Sequence, residues 1–162
     1  MQPSSDEATR HLKRLTDGLK HAGVKLTHQR LEVCREVAGA TNHPDAETVF
    51  HGVRARVPTI SLDTVYRTLA LLADRGLITR IGALQERMRF DANRTPHHHF
   101  VCARCGEMYD FTCETFDRLP IPADAHAFGH VQTVQVEIRG ICRRCQPDRS
   151  PDQPGHQRKE TP

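Results

Sequence analysis

The chain has 162 residues, with 23 Lys and Arg against 20 Asp and Glu, a net charge of +3 and only 5% aromatic residues. So slight a basic balance, with a pI near 8.6, permits nucleic-acid binding without arguing for it. No apolar run is long enough to span a bilayer and the opening MQPSSDEATRHLKR turns charged almost at once, which argues against a membrane protein or a secretory leader and for the cytosol. At 18.3 kDa the chain makes one ordinary domain or two small ones, and two small ones would lean on metal or a partner chain for stability.

Residues 1–5 read as a frayed end. From Asp6 to His21 the spacing of Leu12, Leu15 and Leu19 predicts a helix, and Gly23 supplies its stop. Thr27 can cap a second helix through Leu31, Cys34, Val37 and Ala38, which GATNH ends. Pro44 suits the first turn of a third helix carrying Ala46, Val49, Phe50 and Val53 on one side. VPTIS breaks that pattern, and Ser61 can cap a fourth helix, LDTVYRTLALLADRG, closed by Gly76. Its inward stripe is Leu62, Val65, Leu69 and Leu72, and Asp63, Thr64, Arg67 and Thr68 face outward. LITRI, a turn at Gly82 and Ala83, and ERMRF then predict a two-stranded hairpin.

Short helices followed by a hairpin are the order of a winged helix-turn-helix module, whose outward helix enters the major groove. An ordinary small helical domain with a solvated polar face is the alternative that periodicity leaves open. DANRTP, residues 91–96, has linker character. HHHFVCARC contains a strand, Cys113 to Arg118 a short helix, and VQTVQVEIRG a strand with Val131, Val134, Val136 and Ile138 on two alternating faces. So few strands cannot bury both faces alone, and pairing across a two-fold axis is the expected remedy. The tail after Cys145 is polar and Pro-rich and reads as disordered. The expected class is therefore α+β (α/β). A winged-helix domain over 1–90 is followed by the linker, a small α/β dimerisation and zinc-binding domain over 97–146, and the tail over 147–162.

The chemistry concentrates in DANRTPHHHFVCARCGEMYDF and GICRRC. Two CxxC pairs, Cys102 with Cys105 and Cys142 with Cys145, supply four soft thiolates, enough for a closed tetrahedral Zn²⁺ shell. A redox CxxC or incidental buried thiols are the competing readings. Cys34 lies on an apolar helical face and reads as core, whereas Cys113 is placed as partly exposed and reactive. His97 and His99, at i and i+2 of a strand, point to one side and His98 to the other. A fold-back would bring Asp91 and Asp110 to the same pocket, making a borderline-hard site for Fe²⁺, Mn²⁺, Co²⁺ or Zn²⁺. His43 alone reads as a capping or surface residue; as a ligand to that pocket it would clamp the two halves together.

With LTHQR, NHPDAETVF, TVYRTLALLADRGLI, MRFD, HHHFVCARCGEMYDF and GICRRC in this order, the chain resembles the ferric uptake regulator family, and within it the peroxide-responsive repressor branch. The resemblance runs from about residue 9 to Cys145. It implies a homodimeric repressor of palindromic double-stranded operator DNA, with structural Zn²⁺ on Cys102, Cys105, Cys142 and Cys145. The regulatory Fe²⁺ or Mn²⁺ would lie on His43, Asp91, His97, His99 and Asp110. Tyr66 matches the family's DNA-contacting tyrosine, beside Arg67 and near Thr64. Aspartate at 110 matches the peroxide-responsive branch, in which His43 or His97 would be the oxidation target; an iron-responsive repressor of uptake genes is the alternative. Two positions used elsewhere in the family for a further metal are His98 and Val134 here, which argues against that site despite the nearby Asp117, His126 and His130. No general base stands beside an open metal position, so an enzyme is not expected.

Overall fold

The computed structural model describes residues 5–40, 42–82 and 88–146. Residues 1–4 of the expected frayed start, the turn residue Ala83 with Glu86 and Arg87 after it, and the tail over 147–162 lie outside them, whereas Ser5, expected to fray, opens the first helix. Helix α1 (Ser5–His21) turns Leu15 and Leu19 fully inward, with Leu12 packed against the same core. Thr27 caps α2 (His28–Gly39) by accepting the Arg30 N–H, and α2 buries Val33, Cys34, Val37 and Ala38. Helix α3 (Ala46–Arg54) is capped by Asp45, whose carboxylate accepts the Thr48 N–H at 2.8 Å. Pro44 thus stands before the cap, not in the first turn as expected. Asp45 offers the side-chain oxygen an N-cap needs, and the Pro44 carbonyl is engaged by the Phe90 N–H at 3.0 Å.

Ser61 caps α4 (Leu62–Asp74), and Val65, Leu69 and Leu72 are fully buried while Leu62 is half-buried. Thr68, expected outward, is buried as well: its hydroxyl donates to the Thr64 carbonyl at 2.8 Å, which satisfies the polar end and leaves the methyl to the core. Gly76, at φ +63, ends the helix with bonds from its N–H to the Ala73 carbonyl and from Leu77 N–H to the Leu72 carbonyl, a double closure that needs a left-handed residue. The hairpin strands are β1 (Thr79–Ile81) and β2 (Arg89–Asp91), antiparallel with Thr79 opposite Asp91 and Ile81 opposite Arg89. One apolar cluster from α1 to α4, Ile78, Phe90 and Ala92 holds this half together.

Asp91, expected to open the linker, is the last residue of β2, and Ala92 still sits in the first-half core. The linker then turns twice on its own side chains: Asn93 N–H donates to Asp91 Oδ1 at 2.7 Å and Thr95 N–H to Asn93 Oδ1 at 3.0 Å. The second half is a three-stranded sheet with β3 (His98–Cys102) in the middle. β4 (Met108–Phe111) pairs antiparallel and β5 (Glu137–Gly140) parallel to it. Between β4 and β5 lie the expected short helix α5 (Glu114–Asp117) and a second, α6 (Ala123–Ala127), that no periodicity announced.

The expected strand from Val131 begins only at Glu137. His99 faces Glu137 in the parallel register, so residues 131–136 would have to run beside 93–98, where the linker turns consume the backbone. The Val136 carbonyl still accepts the His99 N–H at 3.0 Å, but the residues before it stay irregular, and Val134 remains exposed. Buried apolar side chains of this half are Val101, Cys102, Met108 and Cys142, a small core among the described residues. No described helix is long and apolar enough to cross a membrane.

Candidate metal centres

The two CxxC pairs meet. Cys102 ends β3 and Cys142 follows β5, so the parallel pairing of those strands brings the two pairs together. The four sulfur atoms all lie within 4.8 Å of one another, with Cys105 Sγ and Cys142 Sγ 3.8 Å apart. A tetrahedron of Zn–S bonds of about 2.3 Å has S···S edges of about 3.8 Å, so the spacing fits that ion. Each pair turns as a knuckle. In the first, Gly106 N–H donates to the Cys102 carbonyl and Cys102 N–H to the Glu107 carbonyl, both at 2.8 Å, and Gly106 has φ +70. In the second, Cys145 N–H donates to the Cys142 carbonyl at 2.9 Å. The Cys142 N–H reaches Cys102 Sγ at 3.4 Å, and such backbone donation lowers the Cys102 thiol to about 6. Hydrogen bonds with Cys105 and then Cys142 push the Cys145 thiol up to about 12, and binding of metal to the four thiols would release protons.

The second centre draws on both halves. Its members are His43 from the loop before α3, Asp91 at the end of β2, His97 and His99 around the start of β3, and Asp110 on β4. Strand alternation turns His97 and His99 to one side, their Nε2 atoms 3.1 Å apart, and the antiparallel register sets Asp110 opposite His99. Asp110 Oδ1 lies 2.9 Å from His43 Nε2, 3.6 Å from His99 Nε2 and 3.9 Å from His97 Nε2. Asp91 contributes one oxygen 3.0 Å from His97 Nε2 and another 3.9 Å from His43 Nε2. His43, Asp91, His97 and His99 are all buried.

The donor set fits a cation of borderline hardness. Nδ1–H of His97 donates to the Thr95 carbonyl at 2.7 Å, which fixes the ring and leaves Nε2 to the cluster, the arrangement typical of a ligating histidine. The Asp91 hydrogen bond, against the desolvation of burial, lifts His97 to about 9. Burial, followed by the neighbouring His43 and His97, pushes His99 down. Burial alone would raise Asp110, yet the His43 hydrogen bond and the surrounding imidazoles hold its carboxyl below the ordinary range.

His98 points to the opposite face, as alternation requires. It is buried between Phe111 and Phe116, with Nδ1 accepting the Val136 N–H at 3.3 Å and Nε2 3.3 Å from Asp117 Oδ1. Neither His126 nor His130 joins them: among the described residues only the thiolate and histidine groups bring three or more donors together. Cys34 is fully buried, and desolvation raises its thiol to about 11, whereas Cys113 is half-buried. On α4, Tyr66 is 51% exposed and Arg67 extends into solvent, paired with Asp63 at 2.9 Å. Thr64, by contrast, is half-buried beside the cap, its hydroxyl 2.9 Å from Ser61 Oγ. Arg89, which carries no expectation from the sequence, donates to the His43 carbonyl at 3.1 Å; the available signal was its place two residues before Asp91, hence on the same strand face.

The family model described as the ferric uptake regulator family matches residues 21–138. The peroxide-responsive repressor PerR of Staphylococcus epidermidis is 28% identical over 145 residues, covering 90% of this chain and 97% of that protein. PerR of Staphylococcus aureus is 30% identical over 128 residues, covering 79% and 86%. Among solved structures, the Helicobacter pylori ferric uptake regulator Fur superposes with a TM-score of 0.69 at 22% identity, covering 88% of this chain and 96% of that one, and shares the winged-helix and dimerisation-domain fold.

Proposed function

Because the chain belongs to the ferric uptake regulator family, whose members are metal-dependent, dimeric DNA-binding regulators of transcription and not enzymes, we propose that it represses transcription until hydrogen peroxide oxidises its histidine cluster. The observation that carries this reading is the division of that cluster between the two halves, with nitrogen and oxygen donors only. Such donors suit Fe²⁺ or Mn²⁺, and the four thiolates of Cys102, Cys105, Cys142 and Cys145 suit structural Zn²⁺. The domains follow the same division: a DNA-binding unit over 1–90, a short link, and a dimerising unit from His97 to Gln146.

His43, Asp91, His97, His99 and Asp110 converge only in one arrangement of the halves, so occupancy shifts the population towards it. In that arrangement α4 of each copy is aligned for a half-site of palindromic double-stranded operator DNA, with Tyr66, Arg67 and the cap residue Thr64 at the contact. Fe²⁺ held by these nitrogen and oxygen donors would supply the one-electron reduction of peroxide, a chemistry that Mn²⁺ in the same site would not supply at low peroxide. His43 and His97 are the oxidation targets. Both rings are buried, and His97 is also anchored from behind by Thr95, so a ring that gains an oxygen atom no longer fits and the clamp opens. Aspartate at 110 and the names of the Staphylococcus relatives support peroxide as the signal. The protein acts in the cytoplasm.

Operator binding by Fe²⁺-loaded and Mn²⁺-loaded protein, before and after low peroxide, tests this alongside peptide mass spectrometry. DNA release together with one added oxygen on His43 or His97, in the iron sample only, is the expected result. Release on removing iron with no response to peroxide would establish an iron-responsive repressor instead. Release with a disulfide at Cys34, Cys113 or the knuckle cysteines, and both histidines intact, would overturn the mechanism.

A further inference from the structure

We infer that Arg89 is a positioning residue that latches the thiolate knuckle to the loop carrying His43, setting the two halves in register before the regulatory cation binds. This rests on reading the histidine cluster as the regulatory site. The Arg89 guanidinium serves three carbonyls: Nη1 donates to Asn42 at 3.3 Å and to His43 at 3.1 Å, and Nη2 to Gly106 at 2.9 Å. Asn42 and His43 belong to the first half, whereas Gly106 closes the turn of the Cys102–Cys105 knuckle in the second. One side chain therefore joins the histidine loop to the thiolate site.

The backbone around it depends on that contact. His43 has φ 48, a left-handed conformation that side-chain-bearing residues keep only where the surroundings hold it. Its carbonyl is held by Arg89, the next one, Pro44, by the Phe90 N–H at 3.0 Å, and Asp45 forms a β-bridge with Arg89. Two residues on from Arg89 in the same strand stands the cluster's Asp91. On the other side, a Cβ at Gly106 would lie 3.7 Å from Arg89 Nη2, so the turn accepts the guanidinium at close range, at a φ of +70 that suits glycine. A planar five-donor fork can satisfy several carbonyls at fixed angles, which a lysine ammonium does not reproduce. Arg14 makes an instructive contrast. It also bridges two carbonyls, Leu77 and Ala92, but both lie in the first-half fold, so it braces one domain and not the junction.

Without Arg89, the cation alone would have to order the His43 loop against the second half, and its affinity would fall accordingly. Full-length zinc-loaded protein, as wild type, Arg89→Met and Arg89→Lys, tests this by Mn²⁺ titration and by amide hydrogen exchange in the Mn²⁺-free state. Arg89→Met should weaken Mn²⁺ binding by roughly tenfold to a hundredfold, the range for losing a group that orients a ligand. It should accelerate exchange in residues 42–46 and in the Gly106 turn together, with zinc content and exchange in α2 and α4 unchanged. Arg89→Lys should recover part of both effects. Unchanged exchange in both segments of Arg89→Met overturns the latch, whatever the affinity does. Wild-type protein that takes up no Mn²⁺ would overturn the regulatory reading instead, and the latch would then stand or fall on the paired exchange alone.

Discussion

Glu32 is a carboxylate with almost no exposed surface on α2, and it survives there because Arg56 Nε donates to it at 2.7 Å and Arg35 reaches its other oxygen. The Arg56 hydrogen bond, set against the desolvation of burial and helped by the charge of Arg35, holds its carboxyl below the ordinary 4.5. A carboxyl whose pKa falls on folding contributes stability that is complete above the unfolded value and is lost as pH drops through the folded one. Thermal melts from pH 7 downward should therefore lose stability once the pH passes below that ordinary value. Glu32→Gln should flatten this slope and cost about 2 kcal/mol at neutral pH. Arg67 behaves in the opposite way. Its pair with Asp63 is largely solvated, so Arg67→Ala should leave the melting temperature nearly unchanged. Operator affinity should nevertheless fall, and if the guanidinium meets a phosphate the salt slope should decrease by about one unit. The helical pattern placed Arg67 on the outward face of α4 but gave no hint that Arg89 serves three carbonyls, since a guanidinium's partners are set by chain segments distant in sequence.

At the scale of elements, the first half was legible because its signals are local. Thr27 and Ser61 cap the helices they were expected to cap, and Leu15, Leu19, Val65, Leu69 and Leu72 lie on the faces that their spacing assigns. Leu69→Ala, which opens a cavity in that core, should cost about 2–5 kcal/mol in denaturant unfolding. Ser61→Ala removes the cap at Thr64 N–H and the bond to the Thr64 hydroxyl and should cost about 1 kcal/mol. The second half was less legible because its strands exist only where a distant partner is available. Val131 to Val136 alternate well enough for a strand, yet beyond the Val136 carbonyl, which accepts the His99 N–H, the register with β3 sets them against the turns of the linker. Ile138 stays exposed on the edge strand β5, and Val134 is exposed in the segment that leads into it, as an edge awaiting a second copy would be. Val134→Asp combined with Ile138→Lys should shift sedimentation towards the monomer while zinc content stays constant.

Across the whole molecule, the two candidate centres differed in how far the sequence reached. Four thiols in matched pairs identify themselves, whereas His43 is separated from its partners by α3, α4 and the hairpin, and only the family resemblance pointed to it. Cys142→Ser should lower zinc content and unfold or monomerise the second half, whose core is small; full zinc retention in a stable dimer would contradict the thiolate assignment. The spacing of the ligands along the chain also has a consequence in time. The thiols lie between Cys102 and Cys145 and need only the sheet of the second half, but the histidine cluster needs both halves folded and docked, with Arg89 gripping the knuckle turn. Ordered loading, zinc first and the second cation after it, is the expected outcome. Chains refolded with Mn²⁺ but without Zn²⁺ should capture no Mn²⁺ at His43, and adding Zn²⁺ should restore uptake. A cell starved of zinc would then carry newly made copies whose histidine cluster stays empty, so scarcity of one metal would silence the response to another.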